Sequence, residues 1–152
     1  MPESVGYETG PYVAVATLCE RALQEADGTL SLIRIIDSVT IQAVGNEAPD
    51  TLPPGAQVSC TLVVSLRAGE ARGSQPVSIL IEKPDGRRDS GPQLSVPFVT
   101  GPSAGANLIF PIQMAVDTAG LYWFELRVGD RLMSKVPLQV NYQFMRGPGA
   151  GA

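Results

Sequence analysis

Apolar residues recur along this chain in short runs at every second position, which is the period of β-strands. The cleanest run is Val58 to Arg67: Val58, Cys60, Leu62, Val64 and Leu66 share one phase, and Ser59, Thr61, Ser65 and Arg67 the other, with Val63 alone out of pattern. Further rows follow at Val77, Ile79 and Ile81, at Leu94, Val96 and Phe98, and on the even positions from Ala106 to Val116. Two more close the chain: Tyr122, Phe124, Leu126 and Val128, then Leu132, Val136, Leu138, Val140 and Tyr142. Tyr12 to Cys19 is apolar on both phases, as in a strand covered on both sides. Turn-forming pairs such as Asp27-Gly28 and Pro84-Asp85-Gly86 separate the runs. The pattern predicts an all-β fold of about eight or nine mostly antiparallel strands in a two-sheet sandwich.

Two places test that pattern. Leu30 to Val44 is long for one strand; from Ile33 its odd positions are apolar (Ile33, Ile35, Val39, Ile41, Ala43) except Asp37, which falls on the core phase. A buried carboxylate without a partner is costly, so a bend is expected at Asp37, where the chain passes from one sheet to the other. In the last hairpin, a two-residue Gly129-Asp130 turn without a bulge would set Phe124 against Lys135 and mix the two faces. The register that repairs this sets Val128 against Leu132 across a three-residue loop. Phe124 then faces Val136, Tyr122 faces Leu138, Trp123 faces Pro137 and Glu125 faces Lys135.

The chain has 152 residues, 44% of them hydrophobic and 17% charged, enough for one folded domain. We place an N-terminal arm at 1–11, the sandwich domain at 12–144 and a glycine-rich tail at 145–152. The net charge is −4 and the basic residues form no stripe, which argues against nucleic acid as a partner. No run reaches the ~18 apolar residues of a membrane helix, and Met1 to Gly10 lacks the features of a secretory signal, so no membrane association and a cytoplasmic location are expected. In that setting Cys19 and Cys60, both on core phase, read as buried free thiols rather than a disulfide.

Histidine is absent, which removes imidazole as base and as metal ligand. The 15 acidic residues fall mostly in turns or at outward strand positions, as a solvated surface requires. Asp85-Gly86-Arg87-Arg88-Asp89 is a turn rather than a calcium loop, because its two arginines would repel the cation. Gly147, Gly149 and Gly151 neither follow a buried strand nor open a helix, so they are no phosphate loop. No catalytic residue, cofactor site or metal site is expected. Trp123 points away from the core phase and, with Leu121, Met133 and Pro137, forms a candidate partner patch, although stacking of Trp123 on Pro137, shielding the sheet edge, is the simpler explanation. A proline inside the last strand also predicts that this strand lies at a sheet edge.

Asp117-Thr118-Ala119-Gly120-Leu121-Tyr122 resembles the D-x-x-G-x-Y start of strand F in immunoglobulin-like domains, where the tyrosine hydroxyl bonds back across the corner. The Cys-Trp-Cys pin of true immunoglobulin domains is missing: Phe124 stands at the second cysteine position, and Trp123 lies on this strand. Leu18-Cys19-Glu20, the segment Asp27 to Ile33, Ile36-Asp37 and Gly120-x-Tyr122-x-Phe124 are similar to the DUF6941 group of small bacterial proteins of unknown function. That resemblance spans roughly residues 12 to 142 and implies a β-sandwich with no established activity. The expected function is a non-enzymatic module that binds a protein partner or itself, with a subunit of a repeating phage or shell assembly as the alternative.

Overall fold

In a computed structural model, residues 9–45, 55–99 and 104–146 are described. The sequence-defined arm (1–8 of it), positions 46–54 and 100–103 and the tail from 147 lie outside the described residues. Nine strands form: β1 (Tyr12–Gln24), β2 (Leu30–Ile36), β3 (Ser38–Gly45), β4 (Gln57–Arg67), β5 (Gly73–Glu82), β6 (Arg88–Phe98), β7 (Gly105–Ala115), β8 (Gly120–Val128) and β9 (Arg131–Arg146). They make a four-stranded sheet in the order β2-β1-β4-β7 and a five-stranded sheet in the order β3-β9-β8-β5-β6. Every pairing is antiparallel except that of β3 with β9.

The core lies between the sheets. The even row of β4 (Val58, Cys60, Leu62, Val64, Leu66) meets Val77, Ile79, Tyr122, Phe124, Leu126 and the Val136-Leu138-Val140 row of β9, all buried. These are the inward rows the period-2 pattern predicts. Leu94 and Leu132 depart from it, with 37% and 44% of their surface exposed. Leu94 sits on β6, the outer strand of its sheet, where one flank has no neighbour. Leu132 sits beside an irregularity described next.

Two strand-level expectations are corrected. The last hairpin has the predicted pairs Phe124–Val136, Tyr122–Leu138, Trp123–Pro137 and Glu125–Lys135, but its turn is tighter than the three-residue loop expected. Val128 pairs with Arg131 around Gly129-Asp130, and the slip between Leu126 and Arg127 leaves Met133 as the extra residue on β9. A bulge thus restores the register, and Gly129 supplies the positive φ (59°) that a tight hairpin turn needs. Second, β9 is an inner strand. Its pairing with β3 begins only at Gln139, opposite Ser38, so Pro137 occupies a stretch with no strand on that flank. The Gln139 N–H donates to the Asp37 carbonyl on that side at 2.9 Å. Two residues earlier, the donor that proline lacks would face the same open flank.

Asp37 is the break between β2 and β3, exposed at the point where the chain leaves the four-stranded sheet for the five-stranded one. The phase before it is not as predicted. Ile33 and Ile35 are 41% and 67% exposed, whereas Ile36, Val39 and Ile41 pack against the core. Arg34, the single non-glycine residue with positive φ (54°) among those described, lies between the two exposed isoleucines.

Candidate functional site

On the outer face of the five-stranded sheet, β8 presents Trp123, Glu125 and Arg127 in the alternation that buries Tyr122, Phe124 and Leu126 on the other side. Glu125 is only 2% exposed. Its carboxylate is held by Arg88 from β6 at 3.3 Å, Arg127 at 3.3 Å and Lys135 from β9 at 3.9 Å. Glu82 on β5 lies 3.9 Å from Arg88 and 3.7 Å from Lys135. Two acids and three cations thus interlock across four strands. The Lys135 ammonium sits 4.8 Å from the Trp123 ring centroid, a cation–π contact, while Pro137 is the cross-strand neighbour of that ring. A carboxylate clasped by three cations has its charge compensated in place and ties the strands that carry them together.

The sequence-defined patch is therefore divided. The structure brings Trp123 and Pro137 together and leaves Leu121 exposed two residues along the same strand. Met133, the bulge residue, instead packs against the hydrophobic core. Trp123 itself is half-buried.

A different surface carries the larger share of exposed apolar area. Of ten large apolar side chains exposed among the described residues, six belong to the four-stranded sheet: Tyr12, Val15, Leu23, Ile33, Ile35 and Ile109. Leu23, Ile33 and Ile35 share one face of the β1–β2 hairpin, because Leu23 pairs with Ser31, Arg21 with Ile33 and Cys19 with Ile35. β2 is the outer strand there. Its backbone edge is interrupted by the left-handed Arg34, whose guanidinium pairs with Glu20 at 3.1 Å. The outer strands β6 and β7 are interrupted differently, by Pro92 and Pro97 and by Pro111.

The same hairpin walls a groove of about 240 Å³ on the outer face of the four-stranded sheet. Thr29, Leu30 and Leu32 approach it from the hairpin, and Val15, Val63, Ser65, Arg67 and Asn107 from β1, β4 and β7. This cover explains Val63, the residue that broke the alternation of β4: it is 1% exposed on the outer phase. Ser65 is buried beside it and donates a 2.7 Å hydrogen bond to Asn107 Oδ1. Nothing in the local sequence marked this groove except that misplaced valine.

The two cysteines are free and buried. Cys60 lies in the core, and burial first, then the nearby Cys19, pushes its thiol up to about 11. Burial also raises Cys19, which sits outside the central core cluster. Both shifts oppose thiolate formation. Among the described residues, no three His, Cys, Asp or Glu side chains gather as a metal site would need, and no helix is long and apolar enough to cross a membrane.

Strands β4, β7 and β9-β8-β5 take the places of B, E and G-F-C in an immunoglobulin-like sandwich, with β6 at C′. The E–F corner carries its tyrosine: Tyr122 is fully buried and its hydroxyl donates to the Thr118 carbonyl at 2.8 Å. The molecule is thus an immunoglobulin-like β-sandwich. A model of a family of unknown function, DUF6941, matches residues 14–141, and the chain belongs to that family. The crystal structure of an immunoglobulin-like protein from Pseudomonas aeruginosa is similar to it, with 14% identity and a TM-score of 0.41, over 90% of this chain and 100% of that one. No curated protein matches the sequence.

Proposed function

We propose that this protein is a non-enzymatic interaction module that engages a protein partner through the exposed face of its β1–β2 hairpin. The observation that carries the reading is the grouping of Leu23, Ile33 and Ile35 on one face of an outer hairpin, Ile35 being 67% exposed. Large apolar side chains grouped at the surface of a folded domain mark contact sites, because their hydration is relieved only by a partner. Arg21, the cross-strand partner of Ile33, is exposed on the same face and supplies a polar group of the kind such contacts carry. The absence of imidazole from the sequence and the two raised, buried thiols support a role without covalent or acid–base chemistry.

The test is affinity capture from the native lysate with two baits, wild type and the Ile33→Lys/Ile35→Lys variant, beside light-scattering mass over a concentration series. A partner, or a second copy, held by wild type and released by the double variant supports the reading. Equal recovery on both baits, or a monomeric wild type that retains nothing, removes it.

A further inference from the structure

We infer that the groove beneath the β1–β2 hairpin is a binding site for a small aliphatic carboxylate, its tail between the hairpin and β4 and its carboxylate on Arg67. The walls are Val15, Val63, Leu30 and Leu32, all apolar. Thr29 and Ser65 also line it, with their hydroxyl protons donated to Asp27 and Asn107, so the donors left to a ligand are on Arg67 and Asn107. Arg67 is half-buried, has no carboxylate partner among the described residues, and spends one N–H on the Leu66 carbonyl at 3.0 Å. Asn107 accepts the Ser65 hydroxyl through Oδ1, which leaves its two amide N–H groups as donors. An acceptor-only, negatively charged head satisfies both residues at once, and a guanidinium fork fits a carboxylate in two-point fashion.

The acids at the hairpin's tip already have partners, Asp27 through Thr29 at the groove's margin. Glu25 accepts from the Ser31 hydroxyl at 2.7 Å, and Asp27 from the Thr29 backbone N–H and hydroxyl at 3.0 and 2.6 Å. Neither lines the groove.

Size and backbone chemistry narrow the ligand. A volume of about 240 Å³ equals that of roughly eight waters at ~30 Å³ each, and so suits a tail of about that many heavy atoms. The floor strand β4 is paired on both sides, with β1 and with β7. A peptide laid in the groove would find no backbone partners there and would leave its own amides unsatisfied, whereas an alkyl chain has none to satisfy. The inference is separate from the hairpin-face reading, because the residues involved differ.

The experiment is an NMR titration of the isotope-labelled full chain with sodium octanoate, with octanol and octylammonium as neutral and cationic counterparts. Saturable shifts at Val15, Leu32, Val63 and Asn107 with octanoate alone are expected. Arg67→Gln should weaken binding roughly tenfold or more, the loss of a charge-assisted contact, while Arg67→Lys keeps part of it. Val15→Trp, which fills the groove and leaves Arg67 in place, should abolish it, and Ile33→Lys/Ile35→Lys should leave it unchanged. Absence of saturation, equal shifts with octanol, or undiminished binding by both Arg67→Gln and Val15→Trp would overturn the inference.

Discussion

The Tyr122 hydroxyl donates a 2.8 Å hydrogen bond to the backbone carbonyl of Thr118, four residues back, and so ties the entry of β8 to the turn that precedes it. Tyr122 has no exposed surface and its ring belongs to the central core. Gly120, at φ 136°, turns the chain between them. Removing the hydroxyl leaves the Thr118 carbonyl without that donor but keeps the ring in place. Tyr122→Phe should therefore cost about 1 kcal/mol, read as a lower urea midpoint with an unchanged slope. An unchanged midpoint would show that solvent replaces the bond fully.

Glu125 is the most buried charge among the described residues, and its three cationic neighbours are one-third to one-half exposed. Taking the charge from the acid leaves three cations across the sheet with Glu82 alone to balance them. Taking it from one cation leaves two others to compensate. Glu125→Gln should cost about 2 kcal/mol, reduced from the fully buried case because solvent screens the partners, and Arg127→Gln less than about 1 kcal/mol. Equal losses for the two variants in chemical denaturation would show that the carboxylate is not the hub.

Alkaline stability should depend on Cys60. Its thiol titrates near 9.0 when unfolded and is pushed up to about 11 in the fold. Between those values the native state holds a proton that the unfolded state has released, so stability falls as pH rises through this window and is fully present below it. Two units correspond to at most about 2.7 kcal/mol. The difference between wild type and Cys60→Ala, measured by urea unfolding at pH 8 and pH 10.5, should shrink at the higher pH. Parallel curves would contradict the shift.

Arg34 holds a left-handed backbone angle in mid-strand, which costs a residue with a Cβ about 1–2 kcal/mol. Glycine removes that cost, at the expense of added chain entropy and of an ion pair with Glu20 whose side chains are 75% and 57% exposed. We expect Arg34→Gly to stabilise the fold by about 0.5 kcal/mol and Arg34→Ala to leave it equal or worse. A gain from alanine equal to that from glycine would show that the ion pair, not the backbone, governs the site. The measurement is a thermal or urea midpoint for all three proteins.

Much of this fold was legible because its strands bury one face. Where that holds, as in β4, β5, β7 and β8, alternation identifies the inward residues with no further information. The Asp37 break and the corner before Tyr122 were legible for a related reason: a carboxylate cannot sit unpartnered in a core, and the corner's short motif has a fixed geometry. The candidate sites were read less completely. Trp123 and Pro137 meet as their register requires, yet Met133 turns inward because a bulge reversed its phase. Ile33 and Ile35 stood on the expected inward phase and are the exposed ones, since the phase changes at the Asp37 break: Ile36 packs against the core before it, and Val39 and Ile41 after it.

Sequence alone, then, determined the strand inventory, the inward rows of β4, β5, β7 and β8, the two-sheet class and the absence of imidazole chemistry, because these follow from side-chain polarity at a fixed two-residue period and from residue identity. Tertiary structure decided the sheet order, the parallel β3–β9 pair and the inner position of β9. It also decided the clasp on Glu125 and the hairpin that covers Val63 beside Arg67. Those features join residues far apart in the chain, through pairings whose choice depends on bulges, backbone angles and the competing burial of whole strands. A local pattern of apolar and polar positions contains none of these long-range terms.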